Sequence, residues 1–338
     1  MIYLKVRRMS APRPQPAKPG PRWAGVVLTA GAIMAGVSAL TGARALAAAP
    51  ETLRLATWNL EWFLTPETFH DLKGHCTRND DAHRHDPRSI PCDVAANLER
   101  SASDIGAVAS YARRLDADVV ALEEVDGEAA ARQLFAKYDF CFTGGRVIQN
   151  TGFAIRRGLP HRCGPDVMGL SLGDELRRGA TVTLYPGTRH ELQLLAVHLK
   201  SGCPHQRLDS RAHACERLAQ QLPTLRAWVR TQREGGHRFA ILGDFNRDLL
   251  AERGAGVWAQ LSDDAADPGM VNTAAGEPFR NCYIGQTHTG YIDYILLGST
   301  LAPSLVRGSF ERVTYSAADA WHTKLSDHCP VAVRLRLD

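Results

Sequence analysis

Polar and acidic side chains stand where short apolar runs stop, and they do so repeatedly along this chain. The instances are Asn59 and Glu61 in ATWNLEW, Glu124 in VVALEEVD, His198 in AVHLKSG, Asp244 and Asn246 in ILGDFN, Asp293 in GYIDYILL, and Asp327 with His328 in LSDHCPV. Taken singly, an aspartate at a strand end is usually a turn former or helix cap, because its side chain bonds nearby backbone. A lone histidine is usually structural. The set is different: burying so many ionisable groups is costly without a metal or a substrate to compensate. The pattern therefore points to a site that takes up a cation or a polar substrate. Asp244 and Asn246 are two apart, so extended backbone would turn both side chains the same way, as it would Asn59 and Glu61. Glu123 and Glu124 should face opposite sides, leaving one of them for the site.

The elements that must position these groups alternate short apolar runs with helical patterns, an α/β rhythm without internal repeats. Strand length and β-prone content mark Leu53 to Leu60, Asp118 to Glu123, Thr151 to Ile155, Thr181 to Tyr185, Glu191 to Leu199, Phe239 to Leu242, Tyr291 to Leu297 and Val331 to Leu335. Several, such as LLAVHL, are apolar on both faces, as in a sheet covered on each side. Helices are expected over Ser103 to Leu115 and over Leu208 to Arg233, where Leu218, Leu222, Leu225 and Val229 follow helical spacing. Pro223 should kink or divide the second. Thr65 to Asn97 is polar, His/Asp-rich and without periodicity, which reads as a surface insertion. Its His70, His75, His83 and His85 are too irregularly spaced to favour a metal site over a solvated loop.

In order, WNL, LEEV, HLKSG, GDFN, IDYIL and SDHCPV resemble the signature of the endonuclease/exonuclease/phosphatase superfamily, and they span the chain from Leu53 to Leu335. That superfamily includes pancreatic deoxyribonuclease, apurinic endonucleases and bacterial sphingomyelinases. The spacing of HLKSGC and Cys215 is similar to that of its exported bacterial nucleases. The resemblance implies a deoxyribonuclease I-like fold, a four-layered α/β/β/α sandwich of two mixed sheets with the site at one edge between them. It implies in-line attack of an activated water on phosphorus. Glu124 matches the metal-binding glutamate, supported by Asp327 and Asn59, with Glu61 at an acidic position that only some members have. Glu123 stands where Gln is usual. His328 with Asp293 matches the pair that activates water, with Asp244 as the rival base. Asn246 and His198 match residues that hold the phosphate oxygens, and His198 is a further choice to protonate the leaving oxygen. The implied cofactor is Mg²⁺, with Mn²⁺ or Ca²⁺ as alternatives. Arg177 and Arg178, just before a strand, are of a type that clamps phosphate, and a solvated loop is the competing reading.

Composition narrows the setting. The chain has 338 residues, 44% hydrophobic and 22% charged, ordinary for a globular protein and wrong for a disordered or collagen-like one. The formal charge of +4 is misleading, because residues 1–47 carry seven Lys and Arg and no acid. Removing those seven leaves the body at −3, so no strong basic footprint argues for tight polyanion binding. A basic Pro-rich front, an uncharged run from Trp23 to Gly42 and the small residues Ala45 to Ala49 read as a signal peptide, with an uncleaved membrane anchor as the alternative. Residues 48–338 would then be one catalytic domain, exported to the periplasm or secreted. All eight cysteines lie beyond the leader. An even count in an exported chain suggests disulfides, most simply Cys76 with Cys92, Cys141 with Cys163 and Cys203 with Cys215. Cys329, in an apolar run, is the best choice for a buried free thiol. Nucleic acid is the preferred substrate of a monomeric enzyme with no protein partner. The alternative is a lipid or small-molecule phosphoesterase, sphingomyelinase-like among them, with phospholipid less favoured since no segment reads as an exposed aromatic hairpin for docking on a membrane.

Overall fold

Twelve strands frame the described residues, which in this computed structural model are 51–78, 88–252, 254, 256–262 and 269–337. The leader expected over residues 1–47, and His83 and His85 of the insertion, lie outside them. In chain order the strands are β1 (Thr52–Phe63), β2 (Val119–Val125), β3 (Tyr138–Phe142), β4 (Asn150–Arg156), β5 (His161–Cys163), β6 (Ala180–Leu184), β7 (Leu192–His198), β8 (Phe239–Asp244), β9 (Val271–Asn272), β10 (Asp293–Leu297), β11 (Glu311–Arg312) and β12 (Val331–Arg336). They form two six-stranded sheets, β11-β12-β1-β2-β4-β3 and β5-β6-β7-β8-β10-β9. Both sheets are mixed. β1 runs parallel to β2 and antiparallel to β12, while β7 runs parallel to β8 and β8 antiparallel to β10.

Alternation along each strand builds three layers of core. Leu53, Leu55, Val119, Ala121 and Phe153 of the first sheet meet Val182, Leu194, Ala196, Leu242 and Ile295 of the second in a dry seam. Their neighbours Ala56, Trp58, Val120 and Leu122 point the other way, onto a helix over Ala102–Leu115. Leu195, Val197 and Ile241 likewise point outward, onto a helix over His213–Glu234 through Leu218, Leu222, Leu225 and Val229. The result is the α/β/β/α sandwich that the motif series implies. Both sheets are covered on each face, so their strands are apolar on both sides.

The Ala102–Leu115 helix begins in a capping box in which Asp104 N donates to Ser101 Oγ (3.2 Å) and Ser101 N to Asp104 Oδ2 (2.8 Å). The His213–Glu234 helix runs on as one element across Pro223, so the proline does not divide it. An interior proline costs about 3 kcal/mol, and four buried aliphatic side chains at about 1.5–3 kcal/mol each outweigh it. The described residues of the segment from Thr65 to Asn97 hold regular structure that its lack of periodicity did not announce. It carries helices over Pro66–Lys73 and Cys92–Asn97, and Phe69, Ile90 and Ala95 form a small core with Leu64 and Ile148.

The three disulfides expected between sequence neighbours are present. Cys329 is the correction: it is bonded to Cys282, 47 residues away, and no cysteine is free. Sequence adjacency could not reveal that pair, because the fold lays the loop before β10 against the segment before β12.

Candidate active site

The chemistry-bearing groups collect where β1, β2, β7 and β8 end, at one edge between the sheets. Each parallel pair delivers its carboxyl ends to this edge, where side chains from different strands can meet without burying an unpaired backbone.

The first sheet contributes Asn59, Glu61 and Glu124. Simple alternation holds for Asn59, which is 1% exposed and faces the seam. It then fails, because Glu61, Trp62 and Glu124 all adopt left-handed backbone, with φ of 47°, 48° and 59°. The β1–β2 register shifts between Asn59 and Phe63, a bulge of the kind that re-aims side chains at functional edges. Glu61 N donates to Asn59 Oδ1 (3.0 Å), and Trp62 N donates to Glu124 Oε2 (3.1 Å). Glu124 Oε1 accepts from Asn59 Nδ2 (3.2 Å). Glu123 faces the seam as alternation requires. It is fully buried beneath the site, Oε1 accepting from Thr57 Oγ1 (2.9 Å) and Oε2 without a partner among the described residues.

The second sheet contributes His198, Asp244 and Asn246, with Asp293 at the start of β10 paired in register with Asp244. Asp244 lies at the centre, 1% exposed, its Oδ2 accepting from Asn59 Nδ2 (3.0 Å) and Asn246 Nδ2 (3.1 Å). Asn246 turns into left-handed backbone with φ 52°, so it reaches the site by a turn rather than by strand alternation. His198 Nε2 is 3.6 Å from both Glu124 Oε1 and Asp244 Oδ2. His328 spans the two halves. Its Nδ1 lies 2.9 Å from Asp293 Oδ2, and its Nε2 lies 3.9 Å from Asp244 Oδ2.

Electrostatics separates the two histidines. Burial pushes the His198 imidazole well below its ordinary value, and the nearby charges of Arg177, His328 and Lys200 add to this, which favours the neutral ring. Burial would also lower His328, but the carboxylates of Asp293, Asp244 and Asp327 outweigh it and hold the ring well above its ordinary value. Asp244 is pushed up to about 7, by burial first and then by Asp293, against the pull of His328. Glu61 also rises to about 7, from burial and the charge of Asp327, although Arg100 opposes the shift.

Two oxygen-rich sets could hold a cation. Among the described residues, Asp244, Asp293 and His328 are the group of three His/Cys/Asp/Glu ligands whose atoms lie within 4.8 Å of one another. In that set His328 and Asp293 already satisfy each other. Glu61, Glu124 and Asp327 are more open, with side chains 28%, 15% and 49% exposed. Their mutual repulsion, visible in the raised Glu61, marks an under-neutralised cluster of hard oxygen donors. A small divalent ion that keeps several waters suits such a cluster, and Asn59 beside Glu124 completes the set.

The two arginines singled out in the sequence part company. Arg177 donates from Nη2 to Leu199 O (2.9 Å) and lies within electrostatic reach of Glu124 and Asp244, its Nε buried without a partner among the described residues. Arg178 is held away from the site by Asp166 and Asp174. Arg207 and Arg217 are likewise engaged, with Asp209 and Glu175. Arg100 carried no sequence signal. Its guanidinium donates to the carbonyls of Leu60, Glu61, Lys324 and Leu325 at 2.8–3.3 Å, tying the bulge of β1 to the segment that carries Asp327.

This fold and this edge are those of a phosphoester hydrolase. The model of the Endonuclease/Exonuclease/phosphatase family matches residues 56–328, and the chain belongs to that family. Comparison with curated proteins gives no match. Similar solved structures include D. rerio TDP2 complexed with single strand DNA product (TM-score 0.52, 16% identity, covering 84% of this chain and 99% of that one). The human Nocturnin catalytic domain with bound sulfate anion is similar at TM-score 0.53 and 12% identity, covering 85% and 94%. AP endonuclease LMAP from Leishmania major is similar at TM-score 0.52 and 16% identity, covering 85% and 88%. At these identities they establish the deoxyribonuclease I-like fold.

Proposed function

We propose that this protein is an exported, Mg²⁺-dependent phosphodiesterase that hydrolyses nucleic acid. The observation that carries the reading is the meeting of Asn59, Glu124, His198, Asp244, Asn246, Asp293 and His328 from both sheets at one edge. Glu61, Glu124 and Asp327, with Asn59, would hold the divalent ion, which when bound supplies charge to neutralise the phosphate and its developing oxyanion.

The remaining groups position and move protons. The proton leaving the attacking water enters the trio of Asp244, His328 and Asp293. Asp244, near neutrality in pKa, suits a general base at ordinary pH. His328, kept in its charged form by Asp293, supports the negative charge that develops. Neutral His198 donates an N–H hydrogen bond to a phosphoryl oxygen, as does Asn246. Its depressed pKa makes it a poor source of a full proton for the leaving oxygen. Arg177, within electrostatic reach of Glu124 and Asp244, would add positive charge on the side where a phosphate binds.

Support for nucleic acid comes from family membership and from the DNA-bound TDP2 neighbour. Support for export comes from the basic-apolar-small leader and from four disulfides, bonds that persist in oxidising compartments. An uncleaved leader would leave the same domain anchored to a membrane. The test is incubation of the purified protein with plasmid DNA, RNA, sphingomyelin and a chromogenic phosphodiester, with Mg²⁺ and then with EDTA. Metal-dependent nicking or degradation of a nucleic acid is expected. Cleavage of sphingomyelin alone would replace the substrate assignment, and no metal-dependent cleavage of any would defeat the whole reading.

A further inference from the structure

His328 lies on irregular chain, between a helix over Ala317–His322 and β12, yet its ring must meet a carboxylate on the opposite sheet. The segment is held mainly through its backbone. Ser326 Oγ donates to Asn59 O (2.8 Å), His328 N donates to Ser326 Oγ (3.0 Å), and Trp58 Nε1 (3.2 Å) and Tyr315 Oη both donate to His328 O. One further tie is covalent. Cys329, the next residue, is bonded to Cys282.

The geometry of that bond is what matters. Cys282 lies in the irregular chain between β9 and β10, upstream of Asp293, the residue paired with His328. Both ends of the 282–293 loop are therefore fastened to the dipeptide His328–Cys329, one through the disulfide and the other through the imidazole–carboxylate contact. Gln286, inside the loop, donates to Asp327 O (2.5 Å) and accepts from Cys282 N (2.8 Å). Arg312 lies against the sulfurs, with Nε 3.0 Å from Cys329 Sγ and Nη2 3.3 Å from Cys282 Sγ. Its guanidinium sits 4.8 Å from the Phe279 ring centroid and 5.1 Å from that of Tyr291. The cross-link thus joins the same two segments as the His328–Asp293 contact, one residue from His328 on one side and eleven residues before Asp293 on the other.

We propose that the Cys282–Cys329 disulfide, braced by Arg312, is a positioning device that holds His328 against Asp293, so that full turnover requires this bond. The proposal rests on the phosphodiesterase reading for its kinetic consequence. Misplacing a reacting group by about 1 Å can cost on the order of 100-fold in rate, so a loosened segment should lower turnover without weakening substrate binding.

The test compares wild type, Cys282→Ser/Cys329→Ser, Arg312→Lys and the control Cys76→Ser/Cys92→Ser on a chromogenic phosphodiester with Mg²⁺, with folding checked by circular dichroism. The first double variant should lose at least about tenfold in kcat with KM within about twofold, while the control double variant keeps its kcat. An unchanged kcat in the folded Cys282/Cys329 variant, or a loss confined to KM, overturns the proposal. Should that variant not fold, Arg312→Lys decides by the same criterion, since lysine keeps the charge but loses the two-pronged contact with the sulfurs. Hydrogen exchange separates this claim from the enzymatic one. Residues 326–331 should exchange faster in the variants than in wild type even if wild type cleaves nothing. Unchanged exchange there would refute the positioning role whatever the activity.

Discussion

The two sheets bring unlike halves to the shared edge. The first sheet's half is open and acidic: Glu61, Glu124 and Asp327 keep solvent contact and repel one another. The second sheet's half is closed. His198, Asp244 and Asp293 are 4%, 1% and 2% exposed, and Asp244 is saturated with amide donors. Partly open carboxylates that repel one another invite a cation and its waters. Buried groups in mutual contact are suited to keeping a proton in a defined place. The difference suggests that binding of the ion and handling of the proton are separable.

The comparison is broken most sharply on the closed side. His198→Ala, Asp244→Ala and His328→Ala should each lose at least about 100-fold in kcat at saturating Mg²⁺, with circular dichroism unchanged. Recovery of any of them by extra Mg²⁺ would merge the two halves. On the open side, Glu124→Gln should raise the Mg²⁺ concentration needed for half-maximal activity by about tenfold or more, with most of kcat restored at high metal.

A pH experiment sharpens the same distinction with a smaller effect. Glu61 binds its proton more tightly in the metal-free fold than a free carboxylate does, so this group disfavours the metal-free fold as pH rises from its ordinary value of 4.5 through about 7. Cation binding must displace that proton at low pH and relieves repulsion at high pH. The gain in Tm on adding Mg²⁺ should therefore be larger at about pH 8 than at about pH 5, and Glu61→Gln should flatten the difference. An equal gain at both pH values would remove Glu61 from the cation set.

The smallest effects separate the arginines. Arg177→Ala should raise KM or lower kcat by about tenfold. Arg178→Ala, which breaks contacts with Asp166 and Asp174 outside the edge, should leave kcat/KM within about twofold.

Much of this was legible in the chain. Apolar runs ending in Asn59, Glu124, His198, Asp244 and Asp293 identified strands and site together, because a strand buried on both faces can place polar groups only at its ends. The strands β3, β5, β9 and β11 went unrecognised. The last three have two or three residues and lie at or near sheet edges, too short for periodicity to show. Pairings between near neighbours were readable for the same reason that Cys282–Cys329 was not: spacing reports only local closure.

By itself the sequence supplied the candidates for the edge, since the types, order and alternating pattern of the polar residues leave few other uses for them, although Arg178 stands outside it. Only the tertiary structure decided how they reach it. Left-handed turns at Glu61, Glu124 and Asn246 replace the alternation expected there, and Arg100, Arg312 and Cys282 arrive from distant segments to hold the edge in shape. Backbone strain at these positions is stable only when packing from both sheets over-determines it, and that packing is a property of the assembled sandwich rather than of any local stretch.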